Sequence, residues 1–268
     1  MARLTLILLA SLSAGADREV YADTMKTTTI KVLTFNILHG ATMNDDGNLD
    51  VIAQVIHNLD PDLVALQEVD VRTGRVQGRD LATELGHRTK LHPLFARAMA
   101  FDGGEYGVGI LSRFSFRSSR ALALPFTGDN EPRAAVEAIV ELPSGQSLSF
   151  VATHLDNASA DDRAAQARMI NQVFGQSDVP RLLAGDFNAT PESETIAIVK
   201  EFWTPTDGLD APPTFPSNKP EIKIDYVFFA PQDRWVVKET RVIENTVASD
   251  HFALLATLEL RTETQNSK

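Results

Sequence analysis

Asp62-Leu63-Val64-Ala65-Leu66-Gln67-Glu68 is the stretch whose reading decides the fold. Leu63 to Gln67 reads as a short buried strand, an apolar run too brief for a helix. It follows Leu59-Asp60-Pro61, which ends the helical spacing of Leu49 to Leu59, because the residue before a proline avoids the helical region. Comparable β-branched or apolar runs recur at Ile30 to Phe35, Val108 to Leu111, Ala134 to Glu141, Leu148 to Thr153, Arg181 to Ala184, Ile224 to Phe229, Trp235 to Val242 and Phe252 to Leu260. Helical spacing recurs at Asp161 to Phe174, with Ser159 as its N-cap, and at Glu192 to Val199. Many strands with a few interspersed helices predict an α/β or α+β fold, with two sheets because one would be very wide. No repeat or linker divides the chain, so one domain is expected from 26 to 261, with a flexible tail over 262–268.

The composition sets outer bounds. At 268 residues, 43% hydrophobic and 23% charged, the chain is long enough to bury a substantial core. The absence of cysteine removes disulfides, thiolate metal sites and a cysteine nucleophile. A balance of 25 basic against 36 acidic residues, net −11, has the wrong sign for gripping polyanions by general attraction, which disfavours nucleic acid as a partner. Arg3, the apolar run Leu4 to Leu12 and the small residues Ala14-Gly15-Ala16 follow the order of a secretory signal. Cleavage is expected after Ala16, with Ala22 as the second candidate, giving a periplasmic or secreted protein with no membrane span in its mature chain.

Chemistry is sought at strand ends, where a rigid base presents a side chain beside an open loop. Five ends stand out: Asn36-Ile37-Leu38-His39-Gly40, Gln67-Glu68-Val69-Asp70, His154-Leu155-Asp156, Gly185-Asp186-Phe187-Asn188 and Ser249-Asp250-His251. Each has a bland reading. Asn36 suits a turn, Gly185 to Asn188 suits an Asx turn capping the helix from Glu192, and a lone histidine is usually structural. Glu68 is harder to dismiss, since ending a buried strand in an acid costs desolvation unless a cation or donor compensates. His154 and His251 each stand beside a carboxylate, an arrangement that orients an imidazole. Taken with Asn36, Glu68, Asp186, Asn188, Asp225 and Asp250, they suit phosphate ester hydrolysis: carboxylates for a hard cation, amides for phosphoryl oxygens and a histidine to activate water.

These motifs resemble the endonuclease/exonuclease/phosphatase superfamily, the deoxyribonuclease I-like group that also includes bacterial sphingomyelinases and inositol polyphosphate phosphatases. The resemblance runs through Lys31 to Asn36, Asp62 to Glu68, Tyr106 to Arg113, Ile224 to Val227 and Ser249 to His251. It implies a four-layer α/β sandwich, two mostly antiparallel sheets packed face to face with helices outside. It also implies Mg²⁺, with Mn²⁺ as the alternative, held by Glu68 with Asn36 and Asp250. Asp186 would position or deprotonate the attacking water, and Asn188 would hold a phosphoryl oxygen. His251, oriented by Asp225, would stabilise phosphate charge, while His154 would contact phosphate or protonate the leaving group.

Some nuclease members carry an acid two residues after the first Asn, where this chain has Leu38 followed by His39-Gly40. Abasic-site DNA repair is disfavoured on that ground. Substrate contacts are expected from Asn36, His39, Arg133 and Tyr106, with Tyr106 either framing the cleft or packing beneath it. Arg133 reads equally as an ordinary surface arginine, and Arg72, Arg75 and Arg79 either line an anionic pocket or are simply solvated. The favoured activity is hydrolysis of a small or lipid-linked phosphate ester by a monomer. The alternatives are a secreted nuclease and an inactive phospho-ligand binding module. Specificity is assigned to the loops Arg72 to Arg79, Phe101 to Glu105 and Thr204 to Lys219.

Overall fold

The computed structural model describes residues 27–208 and 211–261. The expected signal segment 1–16, its alternative cleavage after 22, and the expected flexible tail 262–268 all lie outside the described residues.

Strands are numbered in chain order. One six-stranded sheet contains β1 (Thr27–Asn36), β2 (Leu63–Val71), β3 (His92–Phe101), β4 (Gly104–Ser112), β11 (Trp235–Ile243) and β12 (Ala253–Arg261), ordered β11-β12-β1-β2-β4-β3. The other contains β5 (Phe116–Ala123), β6 (Ala134–Glu141), β7 (Ser147–His154), β8 (Arg181–Asp186), β9 (Thr204–Pro205) and β10 (Asp225–Ala230), ordered β5-β6-β7-β8-β10-β9. Each sheet has one parallel pair, β1 with β2 and β7 with β8, and its other pairs are antiparallel. A parallel pair needs a crossover. Helix α1 (Leu49–Leu59) supplies the first and helix α3 (Ala160–Phe174) the second, while α2 (Leu81–Thr89) and α4 (Glu194–Val199) complete the outer layers.

Alternation along β1 shows why this is a four-layer sandwich. Ile30 and Val32 join the core between the sheets, with Ala65, Ile110, Phe150, Leu182 and Val227. Leu33 and Phe35 point the other way, against Ile52, Ile56 and Leu85 of α1 and α2. On the far side Val151 and Leu183 pack on Ile170, Phe174 and Val199 of α3 and α4. Strands buried on both faces read as nearly continuous apolar runs, which is how Leu63 to Leu66 reads. Asn36, His154 and Asp186 stand at the C-terminal ends of β1, β7 and β8, and Glu68 follows the last β2 residue paired with β1, so both crossovers deliver polar side chains toward the site.

The structure differs from expectation in several elements. Helix α2 and strands β3 and β5 lie where no element was expected. β3 and β5 are edge strands with largely exposed or half-buried faces, so neither needs the unbroken apolar run that marks a central strand. The helix expected from Glu192 is the shorter α4, capped by Ser193, whose hydroxyl accepts from the Ile196 N–H at 3.3 Å. Phe101 to Glu105 is the tight connection between β3 and β4 rather than an open loop.

Candidate active site

Strand β2 does not end at Glu68 but continues to Val71, with its register to β4 shifted between Leu66 and Val69. Glu68 sits in this bulge at φ 58°, a conformation costly for a residue with a side chain, and bulges commonly re-aim a side chain beside active sites. The turn after β1 is of the same kind, with Leu38 and His39 at φ 46° and Gly40 at φ 80°. A Cβ on Gly40 would approach Leu49 and Leu81 to 3.1 Å. This turn brings His39 Nδ1 within 3.5 Å of Glu68 Oε2. Beneath them Asn36, almost fully buried, donates from Nδ2 to Glu68 Oε1 and to Asp186 Oδ2, each at 3.2 Å. A single amide therefore ties the first sheet's carboxylate to the second sheet's.

From the second sheet, Asp186 Oδ2 lies 3.4 Å from His154 Nε2 and 3.7 Å from His251 Nε2. His251 Nδ1 is 3.0 Å from Asp225 Oδ2, and the Phe215 ring packs on the imidazole at 4.7 Å between centroids. Asn188 takes φ 47° and its backbone N–H donates to Asp186 Oδ1 at 2.9 Å. This Asx turn aims the Asn188 amide at His154 Nε2, 3.1 Å away, and does not cap α4. Arg133 Nη1 stands 3.0 Å from His154 Nδ1 and 3.0 Å from Glu131 Oε1. It is no ordinary surface arginine: it is only 3% exposed, and its Nε has no partner among the described residues.

These groups share one cavity of about 470 Å³. His39, Glu68, Arg133, His154, Asp186, Asn188, Asp250 and His251 line it, with Tyr106, Phe101 and Phe215 among its walls. Asn36 and Asp225 are not in its lining; they stand behind it and hold groups that are. Tyr106 both frames the cavity and is nearly buried. Glu131 and Phe215 also line the cavity; Glu131 looks in sequence like a solvated acid, and Phe215 falls in the expected specificity loop Thr204 to Lys219 without having been singled out there.

Other expectations need correcting. The carboxylates beside the two histidines do not orient them. Asp156 accepts from the Ala158 and Ser159 N–H groups ahead of α3, and His251 is paired not with the adjacent Asp250 but with Asp225, the partner the family resemblance implied. Arg75 and Arg79 do not offer free charge to an anion. Arg75 is bidentate on buried Asp70 at 2.6 and 2.7 Å, and Arg79 is bidentate on Glu84 at 3.0 and 2.7 Å. Arg72 is exposed and does not line the cavity.

The electrostatics divide the site into distinct states. Burial works to raise the Glu68 carboxyl, but the His39 contact and the Asn36 amide help hold it at about 2, a firm carboxylate. Burial and the charge on Asp225 push Asp186 above the usual carboxylate range, against the pull of His251. Burial alone would lower His251, yet Asp225 and Asp186 raise it, so it is an imidazolium at neutral pH. Burial and the Arg133 charge lower His154 well below its ordinary value, so it is neutral. Burial raises Asp250; His251 opposes the rise and the charge on Glu68 adds to it.

Two groupings could hold a metal ion. Asp186, Asp225 and His251 offer ligand atoms all within 4.8 Å of one another. The protonated His251 already stands as a cation between the two aspartates, however, offsetting one of their two charges, and a protonated imidazole cannot ligate a metal. Glu68 and Asp250 are different, two carboxylates on one cavity that disfavour each other's charge. Their carboxylate oxygens are the kind of donor that suits a hard divalent cation, whereas Asn36 turns its Nδ2 toward Glu68 and its Oδ1 accepts from the Leu38 N–H at 3.1 Å.

Fold and site together define a two-sheet sandwich with an acid, amide and imidazole cluster at one end. A model of the Endonuclease/Exonuclease/phosphatase family matches residues 33–251, and the chain belongs to that family. Members are hydrolases acting on phosphoester bonds and generally use divalent metals. Among solved structures, an endonuclease/exonuclease/phosphatase from Beutenbergia cavernae is 24% identical with a TM-score of 0.77, over 87% of this chain and 72% of that one. A mannosyl-6-phosphatase from Bacteroides thetaiotaomicron is 19% identical with a TM-score of 0.68, over 85% of this chain and 99% of that one. The human Nocturnin catalytic domain is 20% identical with a TM-score of 0.65, over 88% of this chain and 97% of that one. At these identities the likeness establishes the fold. No curated protein matches the chain in sequence.

Proposed function

We propose that this protein is an exported Mg²⁺- or Mn²⁺-dependent phosphoesterase acting on a small or lipid-linked phosphate. The observation that carries the reading is the single cavity joining Glu68 and Asp250 to Asp186, Asn188, His154, His251 and the buried Arg133. The amino-terminal signal pattern supports export. Held by Glu68 and Asp250 with Asn36 beside them, the cation would draw charge from the phosphoryl oxygens.

The remaining roles belong to the chain's own groups. Asp186, raised toward neutrality, orients the attacking water and accepts its proton; an acid so tuned can serve as a base near physiological pH. The His251 imidazolium, fixed by Asp225, faces the cavity with positive charge where the phosphoryl group gains negative charge. Asn188 and Arg133 donate to phosphoryl oxygens. His154, neutral because of burial and Arg133, suits phosphate contact better than leaving-group protonation, since it carries no readily released second proton.

The nuclease alternative is disfavoured by charge. Arg75 and Arg133 are the lysines and arginines lining the cavity among the described residues, and Arg75 is already neutralised by Asp70. That leaves no basic track within the cavity for a polynucleotide backbone, which binds largely through neutralised phosphates.

A panel of phosphomonoesters, phosphodiesters, phospholipids and plasmid DNA, assayed with Mg²⁺ or Mn²⁺ and again with chelator, tests this function. Turnover of small or lipid phosphates, lost in chelator, is expected. Nicking of plasmid DNA without small-ester turnover would favour the nuclease, and no turnover of any kind would defeat the proposal. Arg133→Met should raise KM for the best substrate by about 10- to 100-fold, the worth of a charge-assisted hydrogen bond to phosphate. Steady-state kinetics over a range of substrate concentrations check this, and an unchanged KM would remove Arg133 from the phosphate contacts.

A further inference from the structure

Lys223 is a buried cation that the reaction above does not use. It is 5% exposed, between Ile222 and Ile224, and its ammonium makes three contacts of different kinds. It forms an ion pair with the buried Asp207, donates to the Asp225 main-chain oxygen at 3.0 Å, and lies 4.3 Å from the centre of the Tyr226 ring. Neither Asp207 carboxylate oxygen has another hydrogen-bonding partner among the described residues.

We propose that Lys223, aimed by Asp207, is a positioning residue that fixes the Asp225 main chain and through it the Asp225–His251 pair. The inference rests on reading that pair as part of the hydrolytic site. Asp207 and Lys223 clasp the two ends of the excursion between β9 and β10, close to where the chain re-enters the sheet. Within that excursion the Thr214 hydroxyl accepts from the Ile224 and Asp225 N–H groups at 3.3 Å, Phe215 packs on His251, and the Ser217 N–H donates to the Asp250 carbonyl at 2.6 Å. The clasp therefore anchors the segment that holds both His251 and Asp250 from behind. Asp225 is held on both main-chain polar groups near the start of β10, by Thr214 at its N–H and by Lys223 at its carbonyl.

Energetics separate this role from plain stabilisation. A buried ion pair repays little net stability, because desolvation offsets the attraction, and an apolar pair of similar volume is often as stable. What an apolar pair cannot supply is the donor to the Asp225 carbonyl. Stability and turnover should then respond to different changes.

The test uses the full chain with 4-nitrophenyl phosphate and bis(4-nitrophenyl) phosphate as probes. The double variant Asp207→Leu with Lys223→Met should melt close to the wild type yet lose about 10- to 100-fold in kcat with KM nearly unchanged, as expected when reacting groups shift slightly. Asp207→Asn, which keeps the ammonium on the Asp225 carbonyl, should lower the melting temperature while retaining most of kcat. Should the double variant not fold, Lys223→Met alone, assayed below its melting point, carries the same expectation.

A second readout is independent of turnover: the downfield NMR resonance of the His251 Nδ1 proton. It should move or broaden in the Lys223 variants and persist in Asp207→Asn. Recovery of kcat and of that resonance along with the melting temperature in the double variant would overturn the proposal. Absence of turnover in the wild type would defeat the phosphoesterase reading, while the resonance would still decide the positioning role.

Discussion

Replacing His251 by glutamine should cut kcat by about 10²- to 10³-fold, the usual cost of removing one preorganised group that meets developing charge. Glutamine keeps a polar side chain against Asp225 but cannot be charged, so the loss isolates the imidazolium. The same variant carries a stability signature whose sign follows from the raised basicity of His251. A group that binds its proton more tightly when folded contributes stability in full below its unfolded value, and that contribution fades as pH rises through the folded value. The unfolded value is the ordinary 6.5, and Asp225 and Asp186 raise the folded one. In chelator, therefore, His251→Gln should be most destabilised relative to wild type near pH 6 and progressively less so as the pH becomes alkaline. Thermal melts across that range check the trend. A difference that grows with pH would show His251 to be neutral in the folded protein.

Much of the architecture was legible because its central strands are buried on both faces. Leu63 to Leu66, Ala134 to Val136 and Arg181 to Ala184 could hardly be anything but interior, and the structure places them there. What escaped reading shares one physical property, namely partial exposure. β5 buries none of its residues fully and pairs only with β6, so its sequence owes little to a core. Helix α2 contains Gly86, a poor helix former, which is tolerated where α2 turns back toward β3 and where a Cβ would come within 3.0 Å of Leu91 and Pro93.

For the site, residue identity was more legible than conformation. Glu68 and Asp186 were recognisable as acids at the ends of apolar runs, whereas the bulge at Glu68 and the left-handed turn through Leu38 and His39 leave no mark in a pattern of apolar and polar letters. Pairing was the least legible feature. Neighbours in sequence suggested Asp156 for His154 and Asp250 for His251, but at a strand end successive side chains diverge; the Asp225–His251 pair was expected only through the family resemblance, not from the local sequence. Arg133 shows the same limit for burial, since Glu131-Pro132-Arg133 looks like a surface turn until the cavity is seen to close over it.

The most severe single loss should come from Glu68→Gln. The substitution changes almost no volume and leaves an acceptor for the Asn36 amide, so the fold should persist, but it removes the firmest carboxylate of the oxygen donor set. With that charge gone, turnover should fall by about 10³-fold or more, as expected when an electrostatic contribution of several kcal/mol disappears. A binding measurement should move in parallel. A ligand that binds only the folded state stabilises it by mass action, by roughly 2.7 kcal/mol at a hundred times its Kd. Mg²⁺ or Mn²⁺ should therefore raise the melting temperature of the wild type and leave Glu68→Gln nearly unmoved, while Arg133→Met, which lacks a phosphate donor but keeps every carboxylate, should respond as the wild type does. If Glu68→Gln retained both the metal-induced shift and turnover, the strain stored at φ 58° in β2 would serve something other than cation binding, and the divalent ion would have to be sought at Asp186, Asp225 and His251. That result would also require His251 to surrender its proton to act as a ligand, making cation binding steeply pH-dependent, so metal titrations at two pH values would tell the two sites apart.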